Sequence, residues 1–189
     1  MRCRREKHPV DSINELAARV RLLLMDVDGV LTDGHLYNVP DAAGNMAETK
    51  GFDSQDGIAL QWLSWMGIKT GVISGRVSPA TEVRAAQCRM TWVYQGHIEK
   101  IPILEEILAG AGITADEVAY VGDDLTDVVV MNRVGLGIAT ANARPEVKGC
   151  AKYVTAASGG SGAIREVCEL LLKAQGRWDE LLKKYEVTR

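Results

Sequence analysis

The segment Asp26-Val-Asp28-Gly-Val-Leu-Thr32 sets two carboxylates at i and i+2 at the end of the apolar run Val20 to Val27. If extended backbone persists through Asp28, both side chains point the same way. Like charges held close in a partly buried site then raise each other's pKa unless a cation intervenes. Taken alone, Asp and Gly after a strand read equally well as an ordinary turn. A second acidic cluster, Gly122-Asp123-Asp124-Leu-Thr-Asp127, follows a later apolar run and would face the first. Two facing acidic loops call for a hard cation with oxygen ligands. Magnesium fits, because it binds one or two carboxylates and a substrate phosphate while keeping waters. Asp26 is then free to act as a nucleophile. A carboxylate attacks a phosphate dianion only when a metal and a lysine neutralise the phosphoryl oxygens.

Two further segments fit the same chemistry. Ser74-Gly75-Arg76 stands where an apolar run gives way to a helix, which suits it to hold phosphate oxygens through its hydroxyl and backbone N–H groups. On its own, the simpler reading is a helix cap. Lys100, near the start of a predicted helix, can supply positive charge, although most helical lysines are merely solvated.

These segments need a scaffold that brings strand ends together, and the order of elements supplies one. After strand Val20–Val27, His35–Val39 and Met46–Phe52 flank the turn-forming Pro40–Asn45 and predict a β-hairpin. From Asp56 onward the periodicity predicts helix Gly57–Met66, strand Lys69–Ile73, helix Pro79–Cys88, strand Trp92–Tyr94 and helix Ile98–Ala111. Strand Val118–Val121, helix Thr126–Asn132, strands Leu136–Ile138 and Lys152–Val154, and helix Ala163–Ala174 complete the series. This rhythm is a doubly wound α/β sheet, in which ligands bind outside the carboxyl ends of the strands. The run Ser158–Gly162 reads on composition as a flexible connector. Its position before a helix leaves an anion-contacting role open.

The chain has 189 residues, 47% of them hydrophobic and 25% charged, which is enough for a core and predicts a single domain over 1–189. A net charge of −3 without an obviously crowded basic face argues against a general nucleic-acid binder. Cys3, Cys88, Cys150 and Cys168 lie far apart and read as reduced thiols. The basic start Met1–His8 is followed by an apolar run too short and too late for a signal peptide. With no membrane segment in the sequence, the expected location is the cytoplasm.

DVDGVLT, ISGR, the helix-borne Lys100 and GDDLTD resemble, in order, the four motifs of the haloacid dehalogenase superfamily of phosphatases, from about Leu22 to the C-terminal helix. TDG at Thr32–Gly34, FDSQDG at Phe52–Gly57, YQG at Tyr94–Gly96, YVGDDLTD and GGSGAIREV at Gly159–Val167 are similar to its capless subgroup acting on acidic sugar phosphates of the 3-deoxy-octulosonate type. The resemblance implies a hairpin in place of a cap domain, a homotetramer and a part in lipopolysaccharide precursor synthesis. It implies Asp26 as nucleophile and Asp28 as general acid and base. Magnesium would be held by Asp26, the Asp28 backbone carbonyl and Asp123, supported by Asp124 and Asp127, with Ser74 and Lys100 on the phosphoryl group. For the sugar it points to Asp53, Ser54, Gln55, Asp56, Gly57, Gly75, Arg76 and Arg84. Gln61 stands where some relatives have a basic residue, which leaves the sugar open.

Rival readings are a phosphatase of a nine-carbon 2-keto-3-deoxy acid 9-phosphate, and a silent oligomerisation module beside a sugar-nucleotide synthetase. The intact Asp26, Asp28, Ser74, Lys100 and Asp123 speak against the second. A Rossmann nucleotide binder lacks its Gly-x-Gly-x-x-Gly after the first strand. A phosphomutase would need a cap to keep water from its intermediate.

Overall fold

In the computed structural model, which describes residues 12–187, strand β1 (Leu22–Met25) lies at the centre and is buried along its whole length. Its side chains alternate with the period of two that a strand imposes. Leu23 and Met25 enter one hydrophobic cluster, and Leu22 and Leu24 enter the other on the opposite face.

β1 pairs in parallel with β4 (Lys69–Ile73) on one side and with β6 (Val118–Gly122) on the other. β5 (Trp92–Tyr94) extends the sheet beyond β4, and β7 (Leu136–Ala139) and β8 (Tyr153–Val154) extend it beyond β6. The order β5-β4-β1-β6-β7-β8 winds first to one side of β1 and then to the other. The strand order reverses at β1, so the crevice that such folds use for ligands opens at its carboxyl end.

Helices α1 (Ile13–Ala18), α2 (Ser54–Trp65), α7 (Ala163–Ala174) and α8 (Trp178–Lys184) cover one face. Helices α4 (Lys100–Ala111), α5 (Leu125–Met131) and α6 (Pro145–Cys150) cover the other, and α3 (Pro79–Gln87) follows β4. In α7 the buried residues Ile164, Val167, Cys168, Leu171 and Leu172 form the apolar stripe of an amphipathic helix. No helix among the described residues is long and apolar enough to cross a membrane.

Between β1 and α2 stands an antiparallel hairpin of β2 (Tyr37–Pro40) and β3 (Met46–Thr49), separate from the main sheet. Leu36, Tyr37, Val39 and Met46 on this hairpin are 45–64% exposed. Its turn is held by Asp41, whose Oδ1 accepts from the Ala43 and Asn45 N–H groups at 2.9 Å.

The predicted α/β order is the observed one, with three short helices added. α1 and α6 have six residues each, too few for an apolar period to register, and the seven of α8 stand in a charged tail. α1 carried a legible signal all the same: Ser12 and Glu15 form a reciprocal capping box. Trp178 and Tyr185 pack on their own chain. Trp62 Nε1 donates to Tyr185 Oη at 2.9 Å, and the Trp178 ring meets Trp62 edge-on at 6.2 Å. Cys3 and the basic start of the chain lie outside the described residues, while Cys88 and Cys168 are free thiols buried in the core.

The segment Asp53–Gly57 ties three helices together. Asp53 caps α2, its Oδ1 accepting from Gln55 N at 2.6 Å and Asp56 N at 3.3 Å. Ser54 and Gln55 face solvent. Arg84 of α3 reaches across Gly57, where a Cβ would meet its Nη2 at 2.2 Å, and donates to the Asp53 carbonyl at 2.5 Å. Asp56 turns inward and is 1% exposed. Its Oδ1 accepts from Arg165 N at 2.7 Å, capping α7, whose own N-cap is Gly162 without a side chain. The other oxygen, Oδ2, is buried without a partner.

Burial, the largest influence, pushes the Asp56 carboxyl from 3.8 up to about 6, against the backbone N–H bond from Arg165. A folded-state pKa raised above the unfolded one stabilises fully below the unfolded value and loses that contribution as pH rises through the folded value. Relative to Asp56→Asn, which cannot titrate, the wild-type protein should therefore lose about 3 kcal/mol between roughly pH 4 and pH 6. Urea denaturation of both proteins across that range measures the difference. A difference that stays constant with pH would contradict the assignment.

Candidate active site

Asp26 continues β1 past its last paired residue by donating its N–H to the Val121 carbonyl at 3.0 Å. The chain then folds back on Val27, whose carbonyl accepts from the N–H groups of Val30, Leu31 and Thr32 at 2.9–3.3 Å. The Thr32 hydroxyl donates to the same carbonyl. Gly29 makes this turn possible. Its φ is +85°, and a Cβ there would stand 2.1 Å from Asp123 Oδ2, so any side chain would displace the second acidic loop.

The loop is clamped from behind by residues that follow the last strands. Asn142 donates its side-chain amide to the Gly29 carbonyl at 2.9 Å and accepts from Gly159 N at 2.6 Å. A Cβ on Gly159 would lie 1.9 Å from the Gly29 carbonyl oxygen. The Ser158–Gly162 run is therefore a close-packed brace for the Asp26–Asp28 loop, and the flexible-connector reading is corrected. Small residues are required here because two backbones touch.

Lys100, the first residue of α4, is 2% exposed rather than solvated. Its Nζ lies 3.1 Å from Asp26 Oδ1 and 2.7 Å from Asp127 Oδ1, and 3.1 Å from the Tyr120 hydroxyl. Tyr120 donates in turn to Asp127 Oδ1 at 2.7 Å. Burial works to lower the Lys100 pKa, but Asp26 and Asp127 together outweigh it and raise the pKa. The ammonium therefore stays charged while two carboxylates share it.

One lysine is too little positive charge for this cluster. Burial first, then repulsion from Asp127, pushes Asp26 up to about 6 despite Lys100. Burial, Asp127, Asp26 and Asp124 push Asp123 up to about 7. Oxygens of Asp26, Asp123 and Asp127 lie within 4.8 Å of one another. Asp127 has none to spare, because Oδ1 serves Lys100 and Tyr120 and Oδ2 accepts from Asp123 N and Asp124 N. Asp123 Oδ1, by contrast, is buried without any partner. Asp123 thus offers an unpartnered oxygen beside Asp26, which shares its one lysine with Asp127, and the pair is a donor set that fits a hard divalent cation.

Ser74 follows β4 and is 3% exposed. Its hydroxyl accepts from Arg76 N at 3.2 Å. The next helix starts at Pro79 with Ser78 as its cap, so Ser74 caps no helix. Arg76 projects to the hairpin, where its guanidinium donates to Glu48. Lys50, just beyond β3, forms an ion pair with Asp28.

Asp26, Asp28, Ser74, Gly75, Arg76, Lys100, Asp123 and Asp124 line one cleft of about 320 Å³ at the carboxyl edge of the sheet. Asp127 stands behind its floor. Asp53, Ser54, Gln55, Asp56, Gly57 and Arg84 are not among the residues that line it. Sequence reasoning did not single out Lys50, Glu48, Tyr120 or Asn142. Asn142 follows β7, so the strand-end rule that found the other loops also points to it. Tyr120 carried a fainter signal as a hydroxyl in an otherwise aliphatic strand. Lys50 and Glu48 come from the hairpin, whose docking no local pattern records.

Residues 73–166 match the haloacid dehalogenase-like hydrolase family. The 3-deoxy-D-manno-octulosonate 8-phosphate phosphatase KdsC of Escherichia coli K12 is 43% identical over 164 residues, which cover 87% of this chain and 85% of that protein. The crystal structure of the 3-deoxy-D-manno-octulosonate 8-phosphate phosphatase from Yersinia pestis superposes with a TM-score of 0.83 at 41% identity, covering 88% of each chain. That of the Moraxella catarrhalis phosphatase of the same name, in complex with magnesium ion, phosphate ion and KDO, gives a TM-score of 0.86 at 37% identity. It covers 92% of this chain and 97% of its own. With the strand-end loops, the central lysine and the hairpin all in one fold, the chain belongs to the haloacid dehalogenase-like hydrolases and, within them, to the family of the 3-deoxy-D-manno-octulosonate 8-phosphate phosphatases.

Proposed function

We propose that this protein hydrolyses 3-deoxy-D-manno-octulosonate 8-phosphate to 3-deoxy-D-manno-octulosonate and phosphate, with magnesium, through an aspartyl-phosphate on Asp26. The product would serve lipopolysaccharide precursor synthesis in the cytoplasm. The observation that carries the reading is the buried Lys100 ammonium 3.1 Å from Asp26 Oδ1, beside an Asp123 oxygen with no partner. A nucleophile and charge-neutralising groups thereby meet in one cleft. The substrate rests on the relatives, and the Moraxella catarrhalis structure holds KDO and phosphate, the two products of this reaction, together with magnesium.

In the proposed reaction an Asp26 oxygen bonds to phosphorus as the bond from phosphorus to the sugar oxygen breaks. Asp28 gives its proton to that departing oxygen. Asp28, now a carboxylate, takes a proton from the water that attacks the aspartyl-phosphate, which frees Asp26 and phosphate. Lys100, the Ser74 hydroxyl, which the Arg76 N–H orients, and the Gly75 N–H hold the phosphoryl oxygens. Magnesium, bound by Asp26, Asp123 and the Asp28 carbonyl, would neutralise charge on the transferring group. Asp127 keeps Lys100 aimed and, with Asp124, orders the loop that carries Asp123.

The exposed hairpin supports the further reading that the active form is a homotetramer. Paired hairpins would bury Leu36, Tyr37 and Met46, since an isolated two-stranded hairpin is marginal in water. In that assembly a neighbouring copy would close the cleft, the Arg84 guanidinium would meet the sugar carboxylate across the interface, and the Asp53–Gly57 segment would contact the rest of the sugar.

Asp26→Asn keeps the shape of the side chain without its nucleophilic charge. It should lower kcat at least about 1000-fold with an unchanged melting temperature. Near-normal turnover would overturn the covalent mechanism. Chelation with EDTA should abolish turnover and added magnesium should restore it; full activity in metal-stripped protein is the contrary result. The eight- and nine-carbon sugar phosphates assayed side by side decide the substrate. Leu36→Asp should reduce the mass seen by light scattering and lower activity with it, whereas a fully active wild-type monomer would refute the assembly.

A further inference from the structure

Lys50 lies between the hairpin and α2, and the reaction proposed above makes no use of it. Its side chain is 1% exposed. A buried ammonium persists only where its charge is met, and its partners here are specific. Nζ donates to Asp28 Oδ1 in a close contact and lies 3.3 Å from Glu48 Oε1. Glu48 Oε2 accepts from Arg76 Nη2, and Arg76 Nε lies 3.9 Å from Asp28 Oδ2. The charges close a ring from Asp28 through Lys50 and Glu48 to Arg76 and back.

The two sides of this ring are unequal. The Arg76 side chain is 48% exposed, so solvent and salt weaken its hold on Asp28 across 3.9 Å. Lys50 is dry and in direct contact, so the buried side fixes the carboxylate. It engages Oδ1 and leaves Oδ2 with only the longer contact to Arg76, on a residue that lines the cleft.

We infer that Lys50 is the positioning residue for Asp28, holding Oδ1 so that Oδ2 exchanges the proton with the departing sugar oxygen, and that Glu48 seats Lys50 for this task. The same contacts dock the otherwise exposed hairpin on the catalytic loop, so that hairpin position and Asp28 geometry are set together. The inference rests on the phosphatase reading above. It deepens that reading by giving the hairpin a direct part in the reaction of its own subunit.

The distinction between positioning Asp28 and merely supporting the fold lies in the leaving group. An alkoxide of a sugar departs only with a proton, whereas 4-nitrophenolate leaves without one. Lys50→Met keeps the aliphatic stem and removes the charge. Because Asp28 also acts as base toward water after either ester, the comparison is made on the first step, release of the leaving group in single turnovers with enzyme in excess and magnesium present. The substitution should slow that step about 100-fold for 3-deoxy-D-manno-octulosonate 8-phosphate and less than about threefold for 4-nitrophenyl phosphate. Lys50→Arg should recover much of the loss on the sugar ester. Glu48→Gln should show the same selectivity at about one tenth the size, and it decides the matter alone if Lys50→Met does not fold. Equal losses on both esters, or no loss on either, would overturn the role of Lys50. Wild-type protein that cleaves neither ester would instead overturn the phosphatase reading, before any variant is compared.

Discussion

Negative charge crowded around one buried ammonium is the constraint on which the rest of this structure depends. Asp26, Asp123 and Asp127 bring their oxygens within 4.8 Å of one another, and among the described residues Lys100 alone forms ion pairs within the cluster. Like charges at that range in a partly buried site are held together only by a scaffold that cannot relax. The scaffold here is the pairing of β1 with β6, which fixes Asp26 and Asp123 at adjacent strand ends. The dry core beneath them also keeps water from screening the repulsion. The result is that Asp26 and Asp123 are pushed up to about 6 and about 7.

The tight packing of glycines follows from the same constraint. The loop after β1 has to approach the loop after β6 closely enough for Asp123 to lie where a Cβ of Gly29 would be. Gly159 presses on that loop from the other side through its contact with the Gly29 carbonyl. Asn142 stitches the two together with one donated and one accepted hydrogen bond. A brace made of backbone and one amide adds no charge, which suits a site already short of positive charge. Asp56 holds the start of α7, the helix that follows the glycine run, by accepting from Arg165 N. Its burial is thereby linked to the geometry of the Asp26–Asp28 loop more than 20 residues away in sequence.

The hairpin joins the site through charge and not through the core. Its apolar residues Leu36, Val39 and Met46 face outward, while Glu48 and Lys50 turn to Arg76 and Asp28. An element with little core of its own is therefore held where it is by ion pairs at the mouth of the cleft, with its apolar surface left for another partner.

The sequence by itself determined the sheet, the four loops at its carboxyl edge and the residue types that they carry. Strand periodicity, helix periodicity and turn residues are local, and the rule that ligands sit at strand ends turns them into a site. It also determined the family, because DVDGVLT, ISGR and GDDLTD each keep their chemistry within a few adjacent residues. Only the tertiary structure decided what each side chain meets. Asp127 reads in the sequence only as a support for the metal site, and in the fold both of its oxygens serve Lys100, Tyr120 and two backbone N–H groups. Asp56 and Arg84 read like sugar contacts but on one chain join α2, α3 and α7. The glycine run read like a loose connector and is a close-packed brace. Lys50 left no mark on any local pattern. Its meaning lies in an ion pair with Asp28, 22 residues away, and burial of a charge at such a distance is a property of the folded chain alone.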